Sequence, residues 1–149
     1  MLSDPYFSTK NCIDRLYSDY LKYKNLVVGF DFDDTIFDHH KKGYRYKQVI
    51  GLLRPCKKIG FTMCLYTNER DPENLQVKKK FCEISLGFAP DFVNESPLLQ
   101  GGGKPFFSIL LDDRAGLKQA FDTLMSVVKK INNGKGNKLR KGVYANYID

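Results

Sequence analysis

Apolar and polar positions along this chain alternate between two spacings. Over residues 8–24, Ile13, Leu16, Tyr17, Tyr20 and Leu21 recur three and four apart. That is the period of a helix with one buried face, and Ser8 or Thr9 can cap its start. Residues 26–31 are instead a continuous apolar run, which reads as a strand buried on both faces. Polar residues 36–46, with His39, His40, Lys41, Lys42 and Gly43, predict a loop. A helix is expected over 47–59, started, bent or divided near Pro55 and ended by Gly60. Residues 61–67 form a second apolar run that ends in the hydroxyl of Thr67.

Asp71-Pro72 is a helix start, with Asp as cap and Pro at the first helical position. That helix is expected to reach about 86 and stop at Gly87. A short strand over 91–94 and a glycine loop at 101–103 follow. Residues 106–111 are a third apolar run, ending in Asp112-Asp113, with a helix over 115–131 behind it. Strands alternating with helices predict an α/β fold, a Rossmann-like three-layer sandwich around a mostly parallel sheet. The expected organisation is an N-terminal helix (1–24) packed on a core domain (25–131), then a basic tail or edge strand (132–149). The stretch 142–148 is the candidate strand.

The 149 residues suit one domain with its own core. No apolar run approaches the roughly 18 residues of a membrane span. The first eight residues lack the basic and apolar regions of a signal peptide, so a cytoplasmic protein without membrane partners is expected. The four cysteines form no C-x-x-C pair, which fits reduced thiols acting as small apolar residues. The net charge of +7 favours anionic partners, nucleic acid and phosphorylated metabolites among them. Lys129, Lys130, Lys135, Lys138, Arg140 and Lys141 crowd the end of the chain.

The chemistry lies at the strand ends. Three of the predicted strands finish in polar groups: Asp31/Asp33, Thr67/Asn68 and Asp112/Asp113. In a parallel sheet these ends share one edge, where ligands bind in a crevice. Carboxylates brought together there repel unless a cation or a shared proton relieves them.

These segments resemble the haloacid dehalogenase superfamily, whose members are mostly phosphatases. Asp31-Phe32-Asp33-Asp34-Thr35 is similar to its first motif, D-x-D-x-T. Leu65-Tyr66-Thr67-Asn68 resembles the second, and Ile109-Leu110-Leu111-Asp112-Asp113 the fourth. The resemblance covers about residues 26–125. It implies a magnesium-dependent phosphomonoesterase in which Asp31 attacks phosphorus and Asp33 serves as acid and then base. Asp31, the main-chain carbonyl of Asp33, and Asp112 would hold Mg2+, with Asp113 a ligand or a support for one. Thr67 and the N–H of Asn68 would bind phosphate, and Thr35 would support the loop.

The resemblance also asks for a lysine on the phosphoryl group. Lys104 is the expected one, because Lys104-Pro105 precedes the strand that ends in Asp112-Asp113. The rival run Lys78, Lys79, Lys80 reads as a solvated helix face. Position 34 departs mildly from the family, which often has Gly there. Only 31 residues separate Thr35 from Thr67 and 36 separate Thr67 from Lys104, too few for an inserted lid domain. A capless member with an open site is implied, suited to a bulky substrate. A phosphorylated nucleotide or polynucleotide end is the leading class.

Competing motifs fail on spacing. A calcium loop from Asp31 would need Gly at its sixth position and Glu at its twelfth, where Ile36 and Lys42 stand. A phosphate-binding loop ending at Lys104 would need Gly and Ser or Thr where Leu98 and Pro105 stand. His39 and His40 read as exposed bystanders, and Arg70 and Arg114 as clamps or plain surface charge.

Overall fold

The computed structural model describes residues 3–97 and 103–140. Its elements are α1 (Thr9–Tyr23), β1 (Val27–Phe30), α2 (Lys47–Ile59), β2 (Thr62–Leu65), α3 (Pro72–Leu86), β3 (Phe92–Val93), β4 (Ile109–Leu111) and α4 (Leu117–Arg140). The four strands form one parallel sheet in the order β3-β2-β1-β4. With the four helices, this is an α/β fold of Rossmann-like layout.

The local signals act as their chemistry requires. Ser8 accepts the Asn11 N–H at the head of α1, and Asp71 accepts the Glu73 N–H at the head of α3. Gly60 and Gly87 end α2 and α3 at φ of 105° and 81°, the left-handed region that glycine enters without strain. Pro55 neither starts nor divides α2, which runs through it. The carbonyl that Pro55 cannot serve belongs to exposed Gly51, where water can take it.

The chain moves from β1 outward to β2 and β3, then crosses back to place β4 on the other side of β1. The direction of winding therefore reverses between β1 and β4, and in such sheets the ligand crevice opens outside the strand ends at that point. Asp31 and Asp112 follow the two strands that flank it.

Leu16 of α1, Leu52 and Leu53 of α2, Cys82 and Leu86 of α3, and Leu124 and Val127 of α4 join one buried cluster. Its strand members, Val28, Phe30, Met63, Leu65 and Leu111, all lie on one sheet face, as the two-residue alternation of a strand dictates. The opposite face carries Val27, Gly29, Cys64 and Leu110. There Tyr66 packs edge-on to Phe107, with ring centroids 6.4 Å apart. Tyr66 Oη donates to the Phe106 carbonyl at 2.8 Å, which ties the segment before β4 across this face.

Two boundaries move most. β4 starts at Ile109 rather than 106, because the Ser108 hydroxyl takes the Val27 N–H while Ser108 N–H bonds the Val27 carbonyl. The helix expected to end at 131 continues to Arg140, so a tail beginning at 132 is corrected to helix. Gly134 and Gly136 weaken a helix by about 1 kcal/mol each without breaking it, and the Lys, Leu and Arg around them favour it. The expected strand 142–148 lies outside the described residues. Among the described residues, no helix is long and apolar enough to cross a membrane.

Gly29 is required by close approach. A Cβ placed there would lie 3.0 Å from the Tyr66 ring and 3.1 Å from Leu110. Gly29→Val is expected to lower unfolding free energy by roughly 1–3 kcal/mol through overpacking. Urea denaturation measures this.

Candidate functional site

A cavity of about 500 Å³ opens at the carboxyl ends of the strands. Asp31, Asp33, Asp34, Asp112, Asp113, Thr67 and Asn68 line it, together with Tyr66, Asn94, His39, His40 and Arg114. The three strand endings singled out in the sequence therefore meet in one crevice.

Asp31 and Asp33 face it together because Phe32 between them points the other way. The Phe32 ring is buried and packs against Phe37 and Phe81, with centroids 5.2 and 5.3 Å away. This aromatic cluster anchors the turn after β1, in which the Phe32 carbonyl accepts the N–H groups of Ile36 and Phe37 at 3.1 Å. Asp34 sits in that turn at φ 57°, a conformation that suits Gly, Asn or Asp, so the departure from Gly is tolerated.

Asp31, Asp112 and Asp113 each offer a carboxylate oxygen, all within 4.8 Å of one another. Thr35 is fully buried beneath them. Its hydroxyl lies 3.5 Å from Asp31 Oδ2 and 3.4 Å from Asp113 Oδ1, and it accepts the Asp113 N–H at 3.2 Å. Burial lifts the Asp31 carboxyl to about 7, and the neighbouring Asp112 and Asp113 add to the rise while the Phe32 N–H opposes it. Three hard oxygen donors this close together could hold a divalent cation such as magnesium. The Asp33 side chain lies outside this cluster, so as a ligand it is left with its main-chain carbonyl.

The lysine that reaches the side chains of the strand endings is Lys78, not the expected Lys104. Lys78 Nζ donates to Thr67 Oγ1 at 2.9 Å and to Asp33 Oδ2 at 3.3 Å, and stands 4.8 Å from the centre of the Phe32 ring. Its side chain is only 14% exposed, which rules out a solvated face. Lys78, Cys82 and Leu86 follow at intervals of four, so the inward face of α3 delivers the ammonium one turn above the buried residues. Lys104 is exposed and precedes the amino end of β4, away from the carboxyl ends.

Thr67 is fixed by a residue that sequence reasoning missed. Asn94, at φ 54°, accepts the Thr67 N–H at 2.8 Å and donates to the Glu69 carbonyl at 3.2 Å. The next N–H, of Asn68, has no partner among the described residues, so it is free to donate. His39 and His40 are exposed, as expected, and both line the cavity. His39 Nδ1 lies 3.5 Å from Asp33 Oδ1, and His40 Nδ1 lies 2.8 Å from Asp34 Oδ2. Arg114 lines the cavity, whereas Arg70 does not.

Comparison of the chain with models of known protein families, with curated proteins and with solved structures finds no match.

Raising Asp31 has a consequence for stability. The folded carboxyl keeps its proton up to about 7, while the unfolded one loses it near 3.8. Between these values folding takes up a proton, so this group's contribution falls as pH rises through that window. Without metal, Asp31→Asn is expected to melt several degrees above the wild type at pH 8 and level with it below pH 4. Magnesium should raise the melting temperature of the wild type only. Thermal melts across pH check both.

Proposed function

We propose that this protein is a magnesium-dependent phosphomonoesterase of haloacid dehalogenase type, lacking a cap, that works through an aspartyl phosphate. The observation that carries the reading is Lys78. One nearly buried ammonium reaches both Asp33 and Thr67, the two side chains to which the motif resemblance assigns acid–base work and phosphate contact.

Asp31, Asp112, Asp113 and the Asp33 carbonyl would hold the ion. When bound, it supplies charge neutralisation that lets an anionic nucleophile approach an anionic phosphate. The Asp31 carboxylate attacks phosphorus as the bond to the leaving oxygen breaks, and Asp33 gives that oxygen its proton. Asp33, now a base, takes a proton from water, which attacks phosphorus and releases phosphate from Asp31. Lys78, the Thr67 hydroxyl and the Asn68 N–H hold the phosphoryl oxygens in both steps. Asn94 is a positioning residue for Thr67, and Thr35 for Asp31 and Asp113.

No inserted domain separates the motifs among the described residues, so the substrate itself must help exclude water. This and the charge of +7 favour a phosphorylated nucleotide or polynucleotide end as substrate. The same charge supports a second reading, a non-catalytic nucleic-acid-binding or protein-interaction module. A stable aspartyl phosphate used as a signal is disfavoured by Asp33, which speeds its hydrolysis.

Phosphate release from an aryl phosphate, nucleotides, sugar phosphates and end-phosphorylated oligonucleotides tests the proposal. Release is expected to require magnesium and to vanish in Asp31→Asn. Lys78→Ala should lower kcat/KM by about 10²–10³, the scale of losing one donor to the developing charge, whereas Lys104→Ala should not. The binding module is favoured instead if nothing is turned over and salt-sensitive oligonucleotide binding is unaffected by Asp31→Asn.

A further inference from the structure

The loop between the turn after β1 and helix α2, residues 38–46, stands at the rim of the cavity. It is built to hold one shape. Asp38 accepts the N–H groups of Lys42 and Gly43 at 3.0 and 2.6 Å, closing a tight turn. Asp34, in the cavity wall, pins the loop at both ends: it meets His40 at 2.8 Å and accepts from Tyr46 Oη at 3.3 Å. Burial, then Asp34, pushes the Tyr46 hydroxyl up to about 12, which keeps it a donor at neutral pH.

What the loop displays differs from what fixes it. Lys41, Lys42 and Arg45 are exposed, and their side chains have no ion pair or hydrogen bond among the described residues. Tyr44 is 63% exposed, and its ring centroid is 6.2 Å from that of Tyr46. It is therefore one ring away from the cavity wall. Three unpaired cations and an open aromatic face thus belong to a loop whose His39 and His40 line a cavity with five carboxylates. A sugar phosphate carries all its charge on the group that enters the cavity and would leave these cations idle. A polynucleotide carries further phosphates outside it and bases that stack on aromatic rings.

The basic end of α4 is not a substitute. The helix begins next to the site, just after Asp113, and its 24 residues extend roughly 36 Å, which carries that end away.

We propose that loop 38–46 is the leaving-group subsite for a phosphorylated single-stranded polynucleotide end, with Tyr44 stacking on a base and Lys41, Lys42 and Arg45 meeting the flanking phosphates. The Asp34–His40–Tyr46 contacts position it. This rests on the phosphomonoesterase reading for turnover but not for binding.

The test compares wild type with Tyr44→Ala and with the double variant Lys41→Ala, Lys42→Ala, each first shown to melt like the wild type. The ratio of kcat/KM for a short oligonucleotide with a terminal phosphate to that for an aryl phosphate is expected to fall about tenfold or more in each. Binding of the same oligonucleotide to Asp31→Asn, followed by fluorescence anisotropy, should weaken when either change is added. The double lysine change should also reduce the slope of log affinity against log salt by about 1.4. Oligonucleotides phosphorylated at either end decide the polarity.

An unchanged ratio together with unchanged binding would overturn the proposal, as would a sugar phosphate turned over better than every oligonucleotide. Loop-dependent binding with no phosphate release from any substrate would uphold the subsite and remove the phosphomonoesterase reading.

Discussion

Repulsion between carboxylates at the mouth of one sheet is the constraint around which this structure is organised. A parallel sheet that reverses direction between β1 and β4 brings the ends of those strands side by side. Here both ends are acidic. Asp31, Asp112 and Asp113 sit within 4.8 Å of one another above a fully buried threonine. Burial and mutual charge leave Asp31 holding a proton until about pH 7. An arrangement that costs stability in this way makes physical sense when a cation is to occupy it.

The surroundings divide the charge into two zones. Asp33 stays apart from the cluster of Asp31, Asp112 and Asp113 and meets Lys78 and His39, and Lys78 in turn is steadied by Thr67 and the face of Phe32. One aromatic residue thus does two things: it separates the aspartates on either side of it in sequence, and it braces the Lys78 ammonium between Asp33 and Thr67. Further out, the exposed cations of the rim loop face solvent.

Much of this was legible in the sequence, for identifiable reasons. An apolar run that stops at Asp31, Thr67 or Asp112 signals a buried strand with chemistry at its end, and caps such as Ser8, Asp71, Gly60 and Gly87 mark helices locally. Lys78 was hidden because three lysines in a row look like solvent. The intervals of four to Cys82 and Leu86 were the signal that could have revealed it. Asn94 acts through a contact to Thr67, 27 residues away, and through a left-handed backbone, neither of which leaves a local pattern. The extension of α4 past 131 was masked by two glycines that resemble a break but only weaken a helix.

The central claim is that the converging carboxylates hold a divalent cation, and calorimetric titration of magnesium into the metal-free protein near neutral pH tests it most directly. The account predicts binding at a single site, with heat that varies with the buffer's ionisation enthalpy because Asp31 gives up its proton, and loss of that binding in Asp112→Asn. Absence of binding by the wild type, or equal binding by Asp112→Asn, would contradict it.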